Sequence, residues 1–197
     1  MHPAACVASR AVQRGARRRD NRAMHDVIGD HRQACDGLTL AVRSAGGHWD
    51  APSPCTEWDA RGVLEHVIGF HDVLLLGPLE AKPTRPKDDP EARWAATVEA
   101  IFSALARPGV VDAQRASLLG VLTTDVVVHT WDVSKALGGE VVLDARLCQI
   151  GLERALANKA QFETSDMFGP PVPVSQDAAV QDRLLAFFGR DPDWRAP

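Results

Sequence analysis

The chain has no tyrosine, and no alternation of apolar and polar residues persists in it, so a sheet has little to be built from. No apolar run approaches the ~20 residues of a membrane span, which excludes a helical membrane protein. Cysteine is scarce and scattered, at Cys6, Cys35, Cys55 and Cys148, with no CxxC pair. That excludes a disulfide framework and points to a reducing, cytoplasmic setting. The first residues lack the apolar core of ~7–15 residues that a secretory signal needs. No GxSxG, Walker loop or GxGxxG occurs, so none of the common nucleophile or phosphate-cradling signatures is available. Positive charge is sparse outside the first 23 residues. Those hold six arginines and one acid, a balance of +5, and the rest of the chain carries −9 of a net −4. An acidic body argues against nucleic acid as the main partner.

What is present is a chain of 197 residues, 45% hydrophobic and 24% charged, the profile of a water-soluble domain with a sizeable core. Residues 1–23 show no packing stripe and read as a disordered leader or an over-long start, with the true first residue at Met24. Residues 24–197 read as a single domain. Helical spacing then recurs. Val27, His31, Ala34, Leu38, Ala41 and Ala45 form one stripe, over Met24 to Ala45, stopped by Gly46 and Gly47. A proline-rich connection, APSPCTEW, leads to Asp59, the expected N-cap of a second helix from Ala60 to Leu76 with Val63, Val67, Phe70 and Leu74 inward. A long polar loop follows, able to be mobile or to sit over a site. A third helix is expected over Pro90–Ala106, a fourth over Leu118–Leu137, a fifth over Asp144–Gln161. A short last one runs from Gln176 to Phe188, capped by Ser175. The pattern implies an all-α, up-down-up-down four-helix bundle with short C-terminal helical additions.

The fourth helix carries the chemistry. Leu118, Leu122, Asp125, His129, Asp132 and Ala136 lie at steps of four and three, on one stripe. Val121, Val128, Val133 and Leu137 flank it, so it faces a core. Bare buried carboxylates cost several kcal/mol each and are normally paired or bound to metal. Asp125 and His129 are one turn apart, the reach of two ligands on one cation, and Asp132 stands where it can orient the His129 ring. The pattern alone leaves a metal site and an internal acid–imidazole pair both open. His31 is a rival ligand that reads better as a satisfied core histidine. His66 and His71 flank the stripe of the second helix on opposite sides, and periodicity does not choose between them. Cys55, before a helix, invites a redox role, but reads better as a small packing residue. Trp58 and Trp131 read as packing anchors near the site rather than cofactor stackers, and Cys148 as core.

Three stretches resemble a known family. PSPCTEWDARGVLEHVIG is similar to the TPCxxW…LxxH segment of the DinB-like, mycothiol-dependent maleylpyruvate isomerase metal-binding superfamily. DVVVHTWDVSKALG is similar to that superfamily's (E/D)xxxHxWDLAxAxG helix. FGPPVPVSQDAAVQDRLLAFFGRDPDW resembles an actinobacterial subgroup of uncharacterised metal-binding proteins. The resemblance implies a divalent metal held by His66, Asp125 and His129, with zinc the expected ion, and it demotes His71 and His31. Two departures stand out: Asp125 where the isomerase has Glu, and Gly62 where an acid is usual.

The resemblance also implies a reaction: mycothiol as cosubstrate, activated by the metal for transfer to, or isomerisation of, an electrophilic substrate. That makes a mycothiol-dependent transferase or isomerase the first reading. The alternative is a non-catalytic metal-binding module, since the isomerase carries a further C-terminal domain and only a short tail follows the fifth helix here. Partners would be the small thiol and its acceptor, not nucleic acid or membrane, with the chain a monomer or homodimer.

Overall fold

The computed structural model of the chain describes residues 27–160 and 169–196. The leader read as residues 1–23 and the expected end of the fifth helix at Gln161 lie outside them. Among the described residues six α-helices carry the fold: α1 (27–43), α2 (Ala60–His71), α3 (Pro90–Leu105), α4 (Ala113–Ala136), α5 (Ala145–Ala157) and α6 (Val180–Phe187). Among the described residues there is no strand, only an isolated bridge between Pro52 and Asp59. No helix among them is long and apolar enough to cross a membrane.

The caps explain the boundaries. Asp59, Asp89, Asp112 and Asp144 each accept a bond from a first-turn backbone N–H of α2, α3, α4 and α5. Asp112 thus starts α4 more than a turn before the expected Leu118. After His71 the second helix widens into a π-helical turn, Asp72–Leu76. The last helix begins at Val180. Ser175 is not its cap, because its hydroxyl accepts from Asp177 N in the turn before it. α4 is enclosed mainly in its second half. Leu122, Val126, Val128 and Val133 are buried, but Val121, expected at the core, is 43% exposed. Thr124, Thr130 and Ser134 of α4 donate to carbonyls four residues back, and the Thr123 hydroxyl lies within reach of both Leu119 O and His31 Nδ1.

The expected direction of the helices is corrected. His31, near the start of α1, meets His71 at the end of α2, and Arg61 N bonds Trp49 O at the opposite end, so α1 and α2 are antiparallel. Trp94, early in α3, donates to Thr39 late in α1, while Phe102 packs on His31. α3 therefore runs with α2. His31 also meets Thr123, and Ala41 shares a groove with Ser134, so α4 runs with α1. The order is up-down-down-up. The 13 residues 77–89 make this possible: extended, they reach ~43 Å, against ~24 Å for the 16 residues of α3. This crossover is pinned by Arg85, which pairs both nitrogens with Asp72 (2.7 and 2.8 Å) and donates to Thr97. Arg93 likewise grips Glu65, at 2.6 and 2.7 Å, and ties α3 to α2. α5 packs on α4, and α6 on α5.

Candidate metal centre

α2 and α4 face each other where His66 meets Asp125 and His129. His66 Nε2 is 3.3 Å and His129 Nε2 3.5 Å from the same oxygen, Asp125 Oδ1. Three donors on a tetrahedral cation with ~2.1 Å bonds lie ~3.4 Å apart. Ordinary hydrogen bonds are shorter, and the neighbouring His129 Nδ1–Asp132 Oδ2 contact is 2.8 Å. The other Asp125 oxygen, Oδ2, is buried and bonded to nothing. One donor atom from each of the three side chains lies within 4.8 Å of the other two.

The charges agree with this geometry. Burial would raise the Asp125 carboxyl. The His129 charge, with hydrogen bonds from His129 and His66, outweighs it and holds the group well below the usual range. Burial would depress His129, but Asp125, and then its bond to Asp132, hold that imidazole well above its ordinary value. Asp132 is fully buried, and despite that burial its bond to His129 and the Arg190 guanidinium keep it ionised.

The sequence brings three of its four expected site residues to one point, and Asp132 stands behind His129, as its spacing suggests. The rival histidines lie deeper. His71 Nδ1 donates to Val67 O at 2.7 Å, which leaves its Nε2 to accept from His31 Nε2 at 3.2 Å, and His31 Nδ1 rests on Thr123 Oγ1. Both are fully buried core residues. Trp131 and Cys148 are buried as expected. Trp58 packs at the site. It is 36% exposed and stacks on His66, with ring centroids 4.6 Å apart. Gly62 lies close beside it, since a Cβ there would meet Trp58 Cβ at 3.0 Å.

Cys55 is half-buried and packs against the core, but its thiol also meets charged groups. Its thiol lies 3.3 Å from Asp132 Oδ2 and 2.6 Å from Arg190 Nη2. Burial pushes this thiol up, which opposes the activation that a position before a helix suggested. Cys55, His129 and Asp132 form a second set of possible ligands. The guanidinium of Arg190 already fills the cation's place there. Arg190 had no signal in the periodicity, because it follows the glycine that ends α6.

A cleft of about 570 Å3 opens over His66, Asp125 and His129, walled by Trp58, Phe70 and Arg190. The 77–89 loop contributes nothing to it, so of the two roles open to that loop it does not take the one over this site. Gly169 and Gly189 contribute its rim. A second groove, about 500 Å3, lies between α1 and α4 near Leu40, Val127 and Leu143 and gathers no comparable set of ligands among the described residues.

Residues 31–108 match the model of the mycothiol maleylpyruvate isomerase N-terminal domain family. The matched stretch takes in most of α1 and all of α2 and α3, with His66, and ends before α4. The helical architecture is consistent with the DinB-like fold of that group. The uncharacterised proteins MT0763 and Rv0738 of Mycobacterium tuberculosis are each 28% identical over 180 residues, covering 84% of this chain and 98% of theirs. No solved structure gives a significant match.

Proposed function

We propose that His66, Asp125 and His129 hold a divalent cation, with zinc the best fit, and that the centre activates a low-molecular-weight thiol of the mycothiol type for transfer or isomerisation. The observation that carries the metal reading is the loose triangle around Asp125 Oδ1, 3.3 and 3.5 Å on a side, beside an orphaned buried Oδ2. Two imidazole nitrogens and one carboxylate oxygen suit a borderline cation better than calcium or magnesium. When bound, such a cation supplies Lewis acidity and lowers the pKa of a thiol or water placed on it.

The protein's own groups do the rest. Asp132 accepts from His129 Nδ1, fixes the ring and leaves Nε2 turned toward Asp125. In the cation-free protein a proton on His129 supplies the positive charge beside Asp125, and metal binding replaces it. Three protein ligands leave at least one position open, and the cleft gives it an approach. Trp58 and Phe70 sandwich the His66 ring, at 4.6 and 5.5 Å, and limit its rotation. The thiol and the transferase or isomerase activity rest on the family likeness of residues 31–108. A metal-binding module without turnover would share the same centre.

The test is elemental analysis of untagged protein after incubation with zinc, nickel or manganese. Wild type should carry about one equivalent, His66→Ala and His129→Ala far less, and His31→Ala and His71→Ala should resemble wild type. Equal, near-zero metal in all five removes the centre. Thiol consumption by the loaded protein, with mycothiol and maleylpyruvate or an epoxide, then separates enzyme from module.

A further inference from the structure

The chain that follows α6 reaches back into the centre through one side chain. α6 ends with Gly189 at φ +78°, Gly189 N bonded to Ala186 O and Arg190 N to Leu185 O. That pair of bonds is a Schellman turn, and it places Arg190 at the position where a hydrophobic residue usually folds back on its helix. Here an arginine is turned inward instead, 7% exposed. Its Nη2 is 2.9 Å from Asp132 Oδ2, its Nε is 3.3 Å from both Asp132 oxygens, and its Nη1 donates to Phe188 O at 2.7 Å.

Resting on the metal reading above, we infer that Arg190 is a positioning residue for the metal centre: it anchors Asp132, and through Asp132 the His129 ring. Asp132 Oδ2 is the atom shared between His129 Nδ1 and the guanidinium, so movement of Arg190 moves the acceptor that fixes the ring. Four of the five guanidinium N–H groups are committed, to Asp132 twice, Phe188 O and Cys55 Sγ, which leaves little to grip an anionic substrate. The role is therefore support of the ligand. It also makes the C-terminal segment part of the site, although His66, Asp125 and His129 all come from α2 and α4.

The test is zinc affinity by chelator competition for wild type, Arg190→Met, Asp132→Asn and the double variant, together with the visible spectrum of each with cobalt. Loss of a partner that orients a ligand costs about 10–100-fold in affinity. Arg190→Met should fall in that range and shift the cobalt spectrum. In the Asp132→Asn background the same change should weaken binding less than about threefold, because the link it acts through is already cut. If Arg190→Met leaves an unpaired buried carboxylate and does not fold, the double variant, which lacks both charges, and Arg190→Lys replace it. Lysine should give intermediate affinity, since it keeps the charge but not the fork. Wild-type affinity and spectrum in Arg190→Met, or in Arg190→Lys and the double variant where those replace it, overturn the inference while leaving the metal reading intact. So does an equal loss in both backgrounds. A wild-type protein that takes up neither zinc nor cobalt overturns the metal reading and this one with it.

Discussion

Asp125 puts its carboxylate one methylene closer to the axis of α4 than a glutamate would. Its Oδ1 already stands 3.3 and 3.5 Å from the two imidazoles, the separation a tetrahedral cation asks for. Asp125→Glu would carry the oxygen ~1.5 Å further, into the space of the cation. We expect zinc affinity to fall about tenfold or more, with little change in the cation-free protein, because the side chain keeps its charge. Competition titration measures this, and tighter binding by the glutamate variant would mean that the shorter arm is a defect here. Asp125 and His129 could be found in the sequence because a charged pair on an apolar helical stripe is costly and periodic. Arg190 could not, because one residue after a helix has no period. Its clue was chemical: a charged group at the hydrophobic position of a glycine-ended helix.

The helices themselves were legible element by element, since each has an apolar stripe within and four of them, α2 to α5, have an aspartate cap in front. Their directions were not. Stripes such as Val63–Val67 or Trp94–Ile101 say which face is inward and nothing about which end points up. That choice lies in the 77–89 crossover and in Arg85 and Arg93, whose partners are known only once the helices are placed. The same packing buries His31 of α1 against His71 of α2, and this has a consequence for stability. Burial lowers the pKa of both, His31 well below its ordinary value. As pH falls through ~6.5, the unfolded chain takes up protons that these folded imidazoles refuse, so stability drops, by up to about 1.4 kcal/mol per pH unit for each. His129, whose pKa is raised, acts in the opposite sense, but its change lies above ~6.5. Asp125 and Asp132 act only at lower pH, below ~3.9. Urea midpoints in a chelator should therefore fall between pH 6.5 and 5, and His31→Leu should flatten that slope. An unchanged slope in the variant would place the acid sensitivity elsewhere.

At the scale of the whole molecule, the centre draws on parts that the bundle alone does not hold together. His66 comes from α2, Asp125 and His129 from α4, and Arg190 from the segment after α6. In the antiparallel pair α2 and α4 a cation on these three ligands would tie neighbouring helices side by side, so it would bind the folded chain and have no comparable site in the unfolded one. Binding then adds RT ln(1 + [L]/Kd) to stability, ~2.7 kcal/mol at a hundredfold excess over Kd. For a chain of this length, 1 kcal/mol moves Tm by ~2–4 °C, so the shift between chelator and saturating zinc should be roughly 5–10 °C and should grow with free zinc. His66→Ala keeps α4 and its buried pair intact yet loses the only ligand from α2, so it should melt near the chelated wild type and gain little from zinc. His129→Ala should melt lower even in chelator, because it leaves Asp125 without its main counter-charge in a buried setting. The order to look for by calorimetry is zinc-loaded wild type, then chelated wild type with His66→Ala, then His129→Ala. If zinc raises the Tm of His66→Ala as much as that of wild type, the cation is not bridging α2 and α4.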